Sequence, residues 1–284
     1  MAHALTVGID VGIYGRLAVR DHILELAELA ESSGAESLWV ADHVIFPGMV
    51  TSTYPYNATG TFPVDMTQEP LLEPITTMGV LVGATQRVKI GTAVLVMPYR
   101  NPVLLGRMLV TLDVLSGGRM ILGAGVGWLA EEFAALQARP FAARGSVTDE
   151  WIALVKRICH GGEVTFQGKH YQLGAVVSSP GSVQRPHPPI LVGGTSDAAL
   201  RRVVHLGDGW ISTGLGPERL RERLRRLQQL CEAHGRSVAD LGLSHKLFLT
   251  IGKARTGADG SREAGTGSKA DILDDLRRLA ELGY

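Results

Sequence analysis

An α/β fold built from repeated strand–helix units follows from three observations. Short β-branched or apolar runs alternate with longer segments of helical period. The apolar runs read as parallel strands covered on both faces. Residues suited to ligand contact follow several of these runs rather than a single switch point. That distribution favours a (β/α)8 TIM barrel over an open doubly wound sheet.

The elements can be justified in order. Residues 5–11 predict the first strand. A helix over 17–33 places Ile23, Leu26, Ala27 and Ala30 on one face, and Gly34 stops it. Residues 37–44 predict the second strand. A long stretch follows, 47–70, rich in Pro, Thr and aromatic residues. Next come a helix over 71–84, a strand over 88–96, and a helix over 103–115 with Leu105, Met108, Leu109 and Leu112 at helical period. Ser116, Gly117 and Gly118 end that helix. A glycine-rich strand, 120–125, leads into helices over 129–137 and 147–160. Residues 163–177 read as an inserted hairpin rather than a barrel repeat.

Strands over 189–192, 209–213 and 246–251 then alternate with helices over 197–206 and 218–234. A Gly/Ser/Thr-rich loop near 253–268 reads as flexible, and a helix over 270–282 closes the series. The count is seven strands in one domain, with the eighth missing or truncated.

Composition bounds the function. The chain has 284 residues and is 45% hydrophobic, enough for a sizeable core. Lys plus Arg equals Asp plus Glu at 28 each, so the balance of charge recommends neither nucleic acid nor an acidic surface as partner. The arginine run 219–226 interleaves Leu220 and Leu224, with Leu227 next, and reads as a solvated helix face. Cys159 and Cys231 have no metal or redox spacing. No run approaches the ~20 apolar residues that span a bilayer, so a cytoplasmic protein without membrane contact is expected.

Four places carry candidate chemistry. The second strand ends in Asp42 and His43, whose side chains leave on opposite faces. His43 is the candidate proton donor or acceptor, and Asp42 the candidate for orientation or cofactor contact. Gly123, Gly125 and Gly127 alternate at the end of the glycine-rich strand, and the acidic helix start that follows adds a positive pole for an anion. The spacing is not that of a dinucleotide fingerprint, and no acidic residue follows where one would bind a ribose. Gly193, Gly194 and Thr195, with Ser196 and Asp197, form a second glycine and hydroxyl turn at a helix start. Tyr54, Tyr56 and Phe62 in the long loop are candidates for substrate contact and closure.

Taken together, these segments resemble the bacterial luciferase-like superfamily, in the branch that uses coenzyme F420. The carriers are residues 37–44 (SLWVADHV), 88–102 (VKIGTAVLVMPYRNP), 112–133 (LDVLSGGRMILGAGVGWLAEEF) and 189–203 (PPILVGGTSDAALRRV). The resemblance implies a (β/α)8 barrel with an inserted segment and a cofactor ring at the barrel mouth. It implies a cis peptide between Ala93 and Val94 behind that ring. Gly125, Gly127 and Trp128 would lie along the cofactor chain, and Gly193, Gly194 and Thr195 would take its phosphate. Asp42 and His43 match the pair near the hydride-transferring carbon.

The activity so implied is hydride transfer between F420 (8-hydroxy-5-deazaflavin) and a small organic substrate, by a homodimer. Two alternatives stay open. One is a monooxygenase of the same fold using reduced FMN from a separate reductase. The other is a flavin- or deazaflavin-binding protein without turnover.

Overall fold

The computed structural model describes residues 5–56, 59–63, 65, 68–256 and 262–284. Residues 57, 58, 64, 66 and 67 of the expected long loop, and 257–261 of the expected flexible loop, lie outside the described residues. The chain divides into two compact units. The larger is Val7–Tyr54 with Thr61–Ile190. The smaller is Met1–Thr6, Pro55–Gly60 and Leu191–Tyr284.

The larger unit opens with β1 (Gly8–Asp10), α1 (Arg20–Ser33), β2 (Ser37–Val40), α2 (Pro74–Ala84), β3 (Lys89–Thr92) and β4 (Leu95–Val96). It continues through α3 (Pro102–Ser116), β5 (Met120–Gly125), α4 (Ala130–Ala135) and α5 (Arg144–His160), then β6 (Gly162–Gln167) and β7 (Gln172–Ser178). β1, β2, β3 and β5 pair side by side in parallel, and β4 pairs with the far end of β5.

Local chemistry explains the boundaries. Gly34 ends α1 in the left-handed region at φ 77°. Asn101 caps α3 by accepting from the Val103 and Leu104 amides at 3.0 and 3.2 Å, with Pro102 at the first helical position. Leu38, Val40, Ile90, Leu95, Met97, Leu105, Leu109, Met120 and Leu122 form the core between strands and helices.

Two differences from the sequence reading follow from backbone geometry. The strand expected over 88–96 is two strands, Lys89–Thr92 and Leu95–Val96, with the cis Ala93–Val94 bond between them and the Ala93 amide still donating to the Val40 carbonyl at 2.7 Å. The second strand stops at Val40, so Asp42 and His43 stand beyond the strand on the loop it feeds. β6 and β7 pair antiparallel as a hairpin from Gly162↔Ser178 inward.

The smaller unit contains β8 (Ile190–Gly193), α6 (Asp197–Leu206), β9 (Gly209–Thr213), α7 (Pro217–Ala233), β10 (Gly242–Lys246), β11 (Thr250–Ile251), β12 (Thr266–Gly267) and α8 (Lys269–Glu281). β8, β9 and β10 pair in parallel order. The strand expected over 246–251 is displaced. Its barrel-type strand is Gly242–Lys246, and Thr250–Ile251 pairs instead with Thr266–Gly267. The apolar run misled because Phe248, Leu249 and Ile251 are exposed at 43, 59 and 66%.

The arginine run on α7 is only partly solvated. Arg223 and Arg226 both pair with Asp197 at the start of α6, at 3.0 and 2.9 Å. Among the described residues, seven parallel strands (β1, β2, β3, β5, β8, β9 and β10) are each followed by a helix, seven of the eight repeats of a (β/α)8 barrel. No helix among the described residues is long and apolar enough to cross a membrane.

Candidate active site

Asp42 and His43, on the loop beyond β2, each meet a different charged partner. The Asp42 carboxylate is fully buried and takes both terminal nitrogens of Arg100, at 2.8 and 2.9 Å. It also accepts from the Val96 amide at 2.7 Å. Burial raises the Asp42 carboxyl above its ordinary value and outweighs Arg100 and the Val96 amide, which act to lower it. Burial opposes the charge on Arg100, but Asp42 and then Glu73 outweigh it and raise the guanidinium above its ordinary value. Asp42 therefore holds the backbone just past the Ala93–Val94 bond. Three donors occupy it, two from Arg100 and one from the Val96 amide.

His43 takes a different partner. Its Nδ1 lies 2.7 Å from Glu132 Oε2, and the side chains are 6 and 0% exposed. Glu132 also accepts from Tyr99 Oη at 2.9 Å and from the Val44 and Ile45 amides at 2.6 and 3.2 Å. Four donors match the acceptor capacity of a carboxylate. An acceptor at Nδ1 assigns the ring proton there, so a neutral His43 carries its lone pair on Nε2.

An aromatic box encloses His43. Phe46, Phe62, Trp128 and Tyr14 stand 5.2, 5.1, 6.1 and 6.3 Å from it between ring centroids. Tyr54 packs edge-on against both Phe62 and Trp128, at 5.1 and 5.2 Å. Two of the expected substrate residues, Tyr54 and Phe62, thus meet the expected cofactor residue Trp128 and the expected catalytic His43. Tyr56 belongs to the smaller unit.

The glycine run packs closely against its own neighbours. Thr92 Oγ1 takes the Gly123 amide at 2.9 Å and donates to the Gly123 carbonyl at 2.8 Å. A Cβ on Gly125 would strike the Val94 side chain. Gly127 sits at φ 80°, and a Cβ there would lie 2.7 Å from Val96 and 2.8 Å from Phe133. The glycines at 125 and 127 therefore admit this chain's own side chains.

The helix start that follows is also occupied. The Ala130 amide donates to Ser52 Oγ at 3.1 Å, and Glu131 accepts from the amides and hydroxyls of Thr51 and Ser52 at 2.6–3.0 Å. α4 holds its own loop where the sequence suggested an anion.

In the smaller unit, Gly193, Gly194 and Thr195 lead into α6. Gly194 lies at φ 110°, and Ser196 caps the helix by accepting from the Ala199 amide at 3.2 Å. Arg223 donates to the Thr195 carbonyl at 3.3 Å, while its buried Nε has no protein partner. The Arg223 charge is already matched by Asp197 at 3.0 Å, so what this turn offers an anionic group is the Gly194 backbone and the leftover Nε donor. In the larger unit, Ala93 and Val94 are partly exposed between buried neighbours, which fits the face of a flat ring. Within the larger unit the residues present fit the ring of a flavin-type cofactor, and within the smaller unit the Gly194 turn fits an anionic group.

Sequence reasoning missed Glu132, Tyr99, Arg100, Tyr14 and Phe46. Only the paired acids Glu131 and Glu132 at a helix start gave a signal, and it read as complement to a helix dipole.

Comparison with known proteins supplies the family. A family model described as Luciferase-like monooxygenase matches residues 3–282. An uncharacterised protein of Mycobacterium tuberculosis (strain ATCC 25618 / H37Rv) is 33% identical over 214 residues, which cover 75% of this chain and 73% of that one. An FMNH(2)-dependent dimethylsulfone monooxygenase of Pseudomonas putida is 29% identical over 169 residues, 58% of this chain and 46% of that one. Among solved structures, an F420-dependent secondary alcohol dehydrogenase in complex with an F420-acetone adduct superposes with a TM-score of 0.71 at 19% identity, covering 87% of this chain and 70% of that one. At that identity the likeness is one of fold.

Proposed function

We propose that this chain, which belongs to the luciferase-like monooxygenase family, transfers a hydride between coenzyme F420 and a small organic substrate, with His43 handling the accompanying proton. The observation that carries this reading is the buried His43–Glu132 contact at 2.7 Å, inside a box of aromatic rings. Bound F420 would supply a two-electron hydride carrier.

The chain's own residues do the rest. Glu132 fixes the His43 tautomer, leaving Nε2 to take or give a proton. Tyr14, Phe46, Phe62 and Trp128 exclude water from that nitrogen. Asp42 and Arg100 hold the segment that carries Ala93 and Val94, where the ring would rest. Gly127 and Trp128 would follow the cofactor chain, and Gly194, Thr195 and Arg223 would take its phosphate. An F420-dependent dehydrogenase shares this fold.

The sequence likeness to an FMNH(2)-dependent monooxygenase favours a second reading, in which reduced FMN arrives from a separate reductase. Single-turnover hydride exchange with a panel of alcohols and carbonyl compounds tests the proposal. His43→Gln should keep F420 affinity within about threefold and slow exchange by about 10²- to 10⁴-fold, the usual worth of a general acid or base. An unchanged rate in that variant would remove His43 from the reaction. Absence of exchange with every substrate would favour binding without turnover.

A further inference from the structure

We propose that the groove between α6 and α7 receives the oligoglutamate tail of F420, so that arginines outside the ring and phosphate sites separate F420 from FMN. This assignment deepens the proposed function and rests on its F420 reading. F420 carries a chain of glutamates beyond its phosphate, whereas FMN ends at the phosphate. A surface that tells the two apart must lie beside the turn assigned to the phosphate. It must also carry more positive charge than its own acids neutralise.

The arginine run of α7 meets both conditions on one side. At about 100° per residue, Arg219, Arg223 and Arg226 share a sector of about 60°, and Arg221 and Arg225 lie on the opposite face. Contacts show where the first sector points. Arg223 donates to the Thr195 carbonyl at 3.3 Å and to Asp197 at 3.0 Å, and Arg226 reaches the other Asp197 oxygen at 2.9 Å. The sector therefore faces the start of α6, next to the Gly194 turn. Arg221 instead pairs with Glu218 at 2.7 Å.

Acids on the α6 side are too few. The single Asp197 carboxylate serves both Arg223 and Arg226. Glu222, 68% exposed, lies 3.4 Å from Arg223. Arg219 is exposed and, among the described residues, has no hydrogen-bond or ion-pair partner. Arg201 is likewise exposed and unpartnered among the described residues, one helical turn beyond Asp197 on α6. Four arginines thus meet two acids, and two guanidinium forks stand unengaged. Such forks match carboxylates in geometry as well as charge. The strip from Arg219 to Arg226 runs about 10 Å along α7, so a flexible chain bearing several carboxylates can meet more than one arginine. A merely solvated helix face accounts for Arg221 and Arg225. It does not account for arginines gathered on the side of the glycine turn.

Fluorescence titration of the full chain with F420 and with its tail-free form tests this without turnover. At about 10 mM salt, where charges act over about 30 Å, F420 should bind about tenfold more tightly than the tail-free form. At about 1 M salt the range falls to about 3 Å, and the advantage should shrink below about twofold. Arg201→Ala combined with Arg219→Ala should bring the two forms within about twofold at low salt and leave the tail-free form unchanged. Both side chains are exposed and unpartnered, so the fold does not depend on them, and near-UV circular dichroism checks it. Arg225→Ala removes the same charge from the opposite face and should preserve the advantage. Equal affinity of the wild type for the two forms would overturn the proposal and leave the F420 reading standing. So would an equal loss in Arg225→Ala, which would mean a general effect of net charge. Binding of neither form would overturn the F420 reading and this assignment with it.

Discussion

The Glu132 carboxylate lies 2.7 Å from Nδ1 of His43 across 89 residues of sequence, and its other oxygen takes the two amides that follow that histidine. One side chain thereby sets both the tautomer of His43 and the path of the loop that carries it. Glu132→Gln keeps the shape but turns one end of the group into a donor facing donors. Turnover should fall by about 10- to 100-fold with little change in KM, since the histidine loses the acceptor that fixes its tautomer. Leaving a buried donor unmatched should also cost about 1–3 kcal/mol of stability, measured by chemical denaturation. A variant with wild-type turnover would mean that Glu132 serves the fold alone.

Asp42 and Arg100 form a bidentate pair whose side chains are 0 and 12% exposed. Asp42→Ala strips the guanidinium of its main partner, with Glu73 left at 2.8 Å. The expected loss is about 3–5 kcal/mol in denaturant titration. Arg100→Lys should recover only part of it, because an ammonium cannot engage both oxygens in the same fork. A loss below about 1 kcal/mol for Asp42→Ala would show that the pair is dispensable.

Glu131 predicts an acid-sensitive loop. Burial acts to raise its carboxyl, but the hydroxyls and amides of Thr51 and Ser52 outweigh it and hold the group down at about 2. A folded value below the ordinary 4.5 means that the clamp contributes above pH 4.5 and is lost as pH falls from there toward 2. Limited proteolysis near residues 50–53 should accelerate through that window, and Glu131→Gln should be cleaved readily even at neutral pH. Cleavage independent of pH would deny the clamp any role.

His245 gives a second and opposite handle, in the smaller unit. Its Nδ1 lies 2.8 Å from Ser212 Oγ, which also meets Tyr284 Oη at 3.1 Å. Burial lowers its value from 6.5 to about 4. As pH falls below 6.5 the unfolded chain gains a proton that the folded chain refuses, so stability declines down to about pH 4 and then levels off. The full effect is up to about 3 kcal/mol. His245→Gln should flatten this part of the stability–pH curve. An identical curve for wild type and variant would place the titration elsewhere.

How far the sequence carried depends on the kind of information each residue holds. Periodicity and punctuation located β5, α6 and β9 to the residue, because Met120–Gly125, Asp197–Leu206 and Gly209–Thr213 are bounded by glycines or by a Ser cap. His43 was legible as chemistry at a strand end. Its partner was not, because Glu132 reaches it only through tertiary packing, and an acid in the first turn of a helix has an adequate local explanation. At 125 and 127 the sequence marks a need for glycine without saying what fills the space. An absent side chain looks the same in sequence whether the space goes to a cofactor or to Val94 and Phe133. Phe248 and Leu249 misplaced a strand because exposure of apolar residues leaves no mark on composition.

Fluorescence titration of the purified chain with F420 and with FMN tests the proposed function most directly. The account predicts saturable binding of F420, weakened at least about tenfold by Gly194→Val or Arg223→Ala, with FMN binding far weaker. Tight FMN binding with no response to F420 would contradict it.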